Sequence, residues 1–288
     1  MSLGKIIFGD NQFLGVNHSS QHKASKLYDY YSSSEKIIET LAYAYDAGIR
    51  DFMFTTHDRY ELVFSEIDRS NIFPEMNYYP CIPYAHKYWN QLMDNSLAAV
   101  IASTISKTSA SKLPMALLAS ISGRHSRLIE TIVLLENLMC NGLNVKGVFL
   151  QNAAFDLLLA MKAYNLIDDF YSAIDNRLGI LPGFITMNHS LALSTLTENI
   201  GIEKPVLCAN FNLSGSRMHP SFNTVKKSFA SKKSINIAMS IFGSGANPND
   251  SLDFAIKMMK SAHVDSILFG SSNAQNIRNN AQRIFKSL

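Results

Sequence analysis

The sequence lacks several features, and each absence excludes a class of protein. No run reaches the ~18 apolar residues needed to cross a bilayer, and the N-terminal Met1–Gln12 holds no apolar stretch of signal-peptide length. There are only 3 cysteines (Cys81, Cys140 and Cys208) in 288 residues, with no Cys-x-x-Cys pair or zinc-type spacing. An odd, scattered set in apolar surroundings fits a reducing compartment rather than a disulfide framework, so a cytoplasmic location is expected. Charged residues make up 17% and the net charge is +3. The densest basic group is Lys226, Lys227, Lys232 and Lys233, which reads as a solvated helix end, so no nucleic-acid or membrane partner is expected. Hydrophobic residues, at 47%, suffice for a large core and exclude a disordered chain.

What remains is a repeat of short β-like runs and longer amphipathic runs. Strand-like runs fall at Ile6–Gly9, Phe52–Thr56, Met76–Pro83, Met115–Ser122, Val145–Gln151, Gly179–Met187, Val206–Asn210, Ile235–Phe242 and Ser266–Phe269. Helical patterns lie between them, as at Glu35–Ala47, where Ile37, Ile38, Leu41, Ala44 and Tyr45 share a face and Gly48 follows. Ser32 and Glu35 have capping-box spacing, and Asp250 and Asn273 suit the N-caps of the last two helices. Strict alternation implies a parallel sheet, and at this length a single (β/α)8 barrel over residues 1–288. Nine strand candidates compete for eight places. Pro80 and Pro83 make Met76–Pro83 the one to set aside, which puts an inserted segment between strands two and three. In such barrels the site gathers at the C-terminal ends of the strands.

The strand ends carry amides, namely Asn11, Gln12, Gln151, Asn152, Asn188, Asn210 and Asn212. Amides at a barrel mouth suit a polar, sugar-like small molecule, although they also satisfy turn backbones. His18, His57 and His86 follow the early strands. With Asp58 they are candidate metal ligands, but no His-x-His or His-x-x-x-His spacing supports a metal. His57 or His86 serving as proton donor is the simpler expectation. The Tyr28–Tyr31 cluster reads as a packed loop. Gly270 precedes a helix whose free N–H groups attract phosphate, Ser271 and Ser272 add hydroxyls, and Gly243 and Gly245 allow close backbone approach.

Several of these pieces together resemble the aldo-keto reductases. The stretch Val264–Asn280, with Gly270-Ser271-Ser272-Asn273 at its centre, is similar to the family's last strand and following helix. Ser240-Ile-Phe-Gly-Ser-Gly245 resembles the loop after strand seven, and Gly183-Phe-Ile-Thr-Met-Asn188 the end of strand five. Phe54-Thr-Thr-His-Asp-Arg-Tyr60 resembles the strand-two segment, and Gly9–Gly15 the end of strand one. The resemblance implies an NAD- or NADP-dependent oxidoreductase. Ser240, Gly243, Gly245, Gly270, Ser271, Ser272 and Asn280 would then clasp the dinucleotide, with Asn188 at the nicotinamide carboxamide. It also implies an Asp, Tyr, Lys and His set, from which this chain departs. Tyr60 matches the Tyr, Thr55 stands at the Asp position, and Gln151 or Asn152 stands at the His position. The Lys position falls near Ile121 or, displaced, on Lys87, depending on which run is strand three. The resulting catalytic candidates are Tyr60, His57, Thr55 and Asn152. The rivals are a non-redox barrel enzyme using His57, Asp58 and His86, with or without a metal, and an inactive ligand-binding barrel.

Overall fold

The computed structural model describes residues 3–16, 20–83, 133, 140–243, 247–261 and 263–287. Eight parallel strands close into a barrel in chain order. They are β1 (Ile6–Gly9), β2 (Asp51–Thr55), β3 (Asn77–Ile82), β4 (Gly147–Leu150), β5 (Leu181–Thr186), β6 (Val206–Asn210), β7 (Ile235–Met239) and β8 (Ser266–Phe269). The barrel shuts where β8 pairs with β1, with Ile6 opposite Ile267 and Ile7 opposite Leu268.

Side chains alternate across each strand, so two cores form. Ile7, Met53, Tyr79, Cys81, Phe149, Ile185, Cys208 and Ile237 fill the barrel interior. Phe8, Phe52, Phe54 and Tyr78 point outward and pack beneath the helices. Among the described residues those helices are α1 (Gln21–Tyr30), α2 (Ser34–Asp46), α3 (Tyr60–Ser70), α4 (Asn152–Ala160), α5 (Tyr164–Ser172), α6 (His189–Ser194), α7 (Phe222–Ala230), α8 (Pro248–Lys260) and α9 (Ala274–Ser287), with π-helical turns at Ala173–Leu178 and Thr195–Ile200 continuing α5 and α6. On α3, Tyr60, Val63, Phe64 and Ile67 form the buried stripe expected at helical spacing. The rings of Tyr60 and Phe64 stack at 5.2 Å, and Phe54 meets Phe64 edge-on at 4.7 Å. Each such aromatic pair adds about 0.5–1.5 kcal/mol beyond its buried area. No helix among the described residues is long and apolar enough to cross a membrane.

The expected insertion between strands two and three is corrected. Asn77–Ile82 is itself the third barrel strand, in register with β2 from Asp51↔Asn77 to Thr55↔Cys81. The long segment lies between β3 and β4, and Met115–Ser122 falls outside the described residues. Pro80 is tolerated in a central strand because the ladder to β4 is irregular beside it. Tyr78 pairs with Val145 but Cys81 with Phe149, so β4 carries one extra residue over that span. A bulge leaves a backbone position unpaired, and proline has no N–H to lose there.

Three local expectations also change. Tyr28 and Tyr30 lie in α1 rather than in a loop, and Tyr31 at its end is fully buried, sharing a 3.1 Å hydrogen bond with Thr40. Ser33, not Ser32, precedes α2 and bonds Glu35. Asn247, not Asp250, caps α8, with Pro248 at its start. Asn273 does cap α9, accepting the Asn276 N–H at 2.9 Å.

Candidate active site

The C-terminal ends of all eight strands meet at one cavity of about 590 Å³. Its floor is apolar, with Met53, Cys81, Ile185, Met239 and Leu268, and its walls carry the amides of Asn11, Gln12, Gln151, Asn152, Asn210 and Asn212. Among the described residues, the charged side chains lining it are Asp10 and Arg217.

Asp10 follows β1 directly and is only 8% exposed. Its Oδ2 accepts the Thr55 backbone N–H at 2.7 Å and the Tyr60 hydroxyl at 3.3 Å. The carboxylate thus ties the ends of β1 and β2 together. Burial pushes its pKa up to about 6, against the opposing pull of the Thr55 and Tyr60 bonds. Tyr60 moves the other way from usefulness as an acid. Burial, then the neighbouring Asp10 charge, hold its hydroxyl well above the usual phenol range. Tyr60 is fully buried among the aromatics under α3 and does not line the cavity. Its hydroxyl therefore reaches the site only through Asp10.

The other residues singled out from the sequence divide by position. Thr55, Asn152, Ser240, Gly243, Gly270, Ser271 and Ser272 all line the cavity. Asn188 does not, because its Oδ1 caps α6 by accepting the Leu191 N–H at 3.2 Å and the Ser190 hydroxyl at 3.1 Å. His57 is half-buried away from the cavity lining, its Nδ1 accepting the Arg59 N–H at 3.0 Å, and Asp58 is exposed. Asn280 lies on α9 outside the lining. His86 and Gly245 fall outside the described residues, and among the described residues no group of three potential ligands could hold a metal ion.

The loops after β7 and β8 are shaped for close approach. Ser240 has φ 55°, a left-handed backbone unusual for serine, and its carbonyl accepts the Gly243 N–H at 2.9 Å. Strain of this kind clusters at functional sites. A Cβ on Gly243, also at φ 55°, would come within 2.6 Å of Ser214 Oγ, and one on Gly270 would collide with the Gln12 side chain. The left-handed backbone makes Gly243 hard to replace, whereas at Gly270 the Gln12 side-chain tip would have to move aside. Behind them Asp156 on α4 steadies the end of β5, accepting the Thr186 hydroxyl at 2.6 Å and the Met187 N–H at 2.9 Å.

Sequence reasoning alone misses Asp10 and Arg217. A signal for Asp10 exists, a carboxylate immediately after the Ile6–Gly9 run. The family resemblance points away from it, because that pattern places its aspartate on strand two, where this chain has Thr55.

The geometry defines a (β/α)8 barrel with a polar site at its C-terminal mouth. No protein-family model matches the sequence, and no curated protein matches it. Solved structures do match the fold. One Pseudomonas aeruginosa structure described as a "putative aldo-keto reductase" superposes with TM-score 0.62 at 10% identity, covering 100% of this chain and 91% of that one. A second so described, from the same organism, gives 0.60 at 11% identity, covering 100% and 92%. The barrel is therefore aldo-keto reductase-like over its whole length, a likeness of fold at this identity.

Proposed function

We propose that this chain is an oxidoreductase acting on a small polar carbonyl or alcohol with NAD or NADP, and that Asp10 is its acid–base group. The observation that carries this reading is convergence. A carboxyl group with a pKa near 6 and the donor-rich loops after β7 and β8 share one cavity. A group poised near neutrality can both give and take a proton, as general acid–base work needs.

The residues fit the phosphate-bearing part of a dinucleotide. The 14-residue α9 begins just past Ser271 and Ser272, and a helix start favours anions by roughly 0.3–1 kcal/mol before hydrogen bonds are counted. Ser240, Gly243, Gly270, Ser271 and Ser272 would hold it, while the capped Asn188 and the remote Asn280 would not. The nicotinamide ring supplies hydride exchange when bound. Asp10 would hand a proton to the carbonyl oxygen in reduction and take it back in oxidation. Tyr60, set back from the cavity, positions Asp10 rather than touching substrate, and the Thr55 backbone N–H holds the same carboxylate. Of the cations on α9, Arg283 is committed to Asp253 at 2.6 Å and Asn249 at 2.9 Å. Gly270 and Asn276, both uncharged, stand where the resemblance places the 2′-phosphate contacts, so no strong preference for NADP over NAD is expected.

Nicotinamide fluorescence titrations with NADH and NADPH, paired with steady-state assays on small hydroxy-carbonyl substrates, test this. Both nucleotides should bind with similar affinity. Asp10→Asn should leave binding within about 3-fold and lower turnover by about 10²–10⁴-fold, the range for acid–base assistance. Absence of nucleotide binding would favour a second reading, a non-redox proton-transfer enzyme. Asp10's raised pKa supports that reading as well, because it needs no cofactor.

A further inference from the structure

Arg217 lines the same cavity as Asp10 and carries the opposite charge. It sits in the loop between β6 and α7 with φ 56°, a left-handed backbone that costs an arginine about 1–2 kcal/mol. Two buried amides hold the loop in that shape. Asn210, 3% exposed, donates its Nδ2 to the Arg217 carbonyl at 3.1 Å. Asn212, 1% exposed, accepts the Ser216 N–H and donates to the Ser216 carbonyl, both at 2.9 Å. On the other side Met218 is buried, and the His219 N–H bonds the Met187 carbonyl at 3.3 Å. Arg217 is thus an exposed residue between anchored neighbours, and among the described residues its guanidinium has no carboxylate partner.

We propose that Arg217 is a specificity residue that binds an anionic group on the substrate, a carboxylate or a phosphate, while Asp10 faces the substrate's reacting oxygen. This rests on the function proposed above and narrows its substrate class to small anionic carbonyl or alcohol compounds. The planar guanidinium fork matches the oxygens of either anion. Arg217 is the one cationic side chain in the described lining, and with the start of α9 assigned to the nucleotide's phosphates it is the place left for a substrate's anionic end.

Calorimetric titration with malonate and with inorganic phosphate, without nucleotide, gives the test, and glycerol serves as the neutral control. The wild-type protein should bind at least one anion and not glycerol. Arg217→Asn, chosen because asparagine tolerates the left-handed backbone, should weaken that binding by about 10- to 100-fold. Arg217→Lys should retain part of it. NADH affinity should change less than 3-fold in both variants. The proposal is overturned if neither anion binds the wild type, or if Arg217→Asn leaves anion binding unchanged. It is equally overturned if NADH affinity falls in step with anion affinity, because Arg217 would then be holding the nucleotide's phosphate. The anion arms contain no nucleotide, so a failure to bind NADH at all would count against the oxidoreductase reading alone.

Discussion

Two buried titratable residues carry opposite linkages to pH. Asp10 has a folded pKa of about 6 against an ordinary 3.8, raised chiefly by burial. The unfolded chain therefore loses its proton first, and Asp10 withdraws stability as pH rises from about 4 to 6. Two pKa units correspond to about 3 kcal/mol. Asp10→Asn should match the wild type in stability near pH 4 and exceed it by up to about 3 kcal/mol at pH 8. Urea denaturation across that range checks this, and a pH-independent difference would contradict it. His189 does the reverse. It is fully buried, its Nδ1 2.8 Å from Ser228 Oγ and its Nε2 2.9 Å from Asn236 Oδ1. The Asn236 amide gives both its N–H bonds to the carbonyls of Phe229 and His263, so its oxygen faces His189, which donates from Nε2. Burial lowers the His189 pKa to about 4 from 6.5. Its contribution is whole above pH 6.5 and drains away toward pH 4, as the unfolded chain takes up the proton first. His189→Gln should cost up to about 3 kcal/mol more at pH 7 than at pH 4, which the same urea series would read.

At the scale of elements, most of the barrel is legible in the sequence because the strands are short apolar runs with helical patterns between them. β1, β2 and β4 to β8 all fall within or beside such runs. β3 is obscured by Pro80, which argues against a central strand, and the bulge that accommodates it is a property of the neighbouring strand. α1 carries no buried residue, so it leaves no apolar periodicity to detect. Within the site, Ser240, Gly243, Gly270 and the two serines are legible as turn chemistry at strand ends. Asp10's partners are not, since Thr55 and Tyr60, 45 and 50 residues away in the chain, meet it only where β1 lies beside β2. Gly183 shows how tightly the elements fit. A Cβ there would run into the Phe149 ring of the adjacent strand. Gly183→Ala should destabilise by about 1–3 kcal/mol through overpacking, and Gly183→Ala combined with Phe149→Leu should recover part of that in thermal unfolding. An unaltered melting temperature in the single variant would contradict the packing.

The whole molecule spends stability at its mouth. The barrel interior and the aromatic layer beneath α3 are apolar and well packed, while the mouth holds a buried carboxylate, a left-handed serine and a left-handed arginine. Proteins retain such costs where function needs them. The central claim is that closing β1 against β2 makes Asp10 the poised acid–base group of this cavity. Carbon-13 NMR titration of the aspartate carboxyls tests it most directly, with Asp10→Asn identifying the resonance. The predicted midpoint lies near pH 6. In Tyr60→Phe it should move higher, because the ionised form loses a hydrogen bond. A midpoint near pH 4 that ignores Tyr60→Phe would contradict the account.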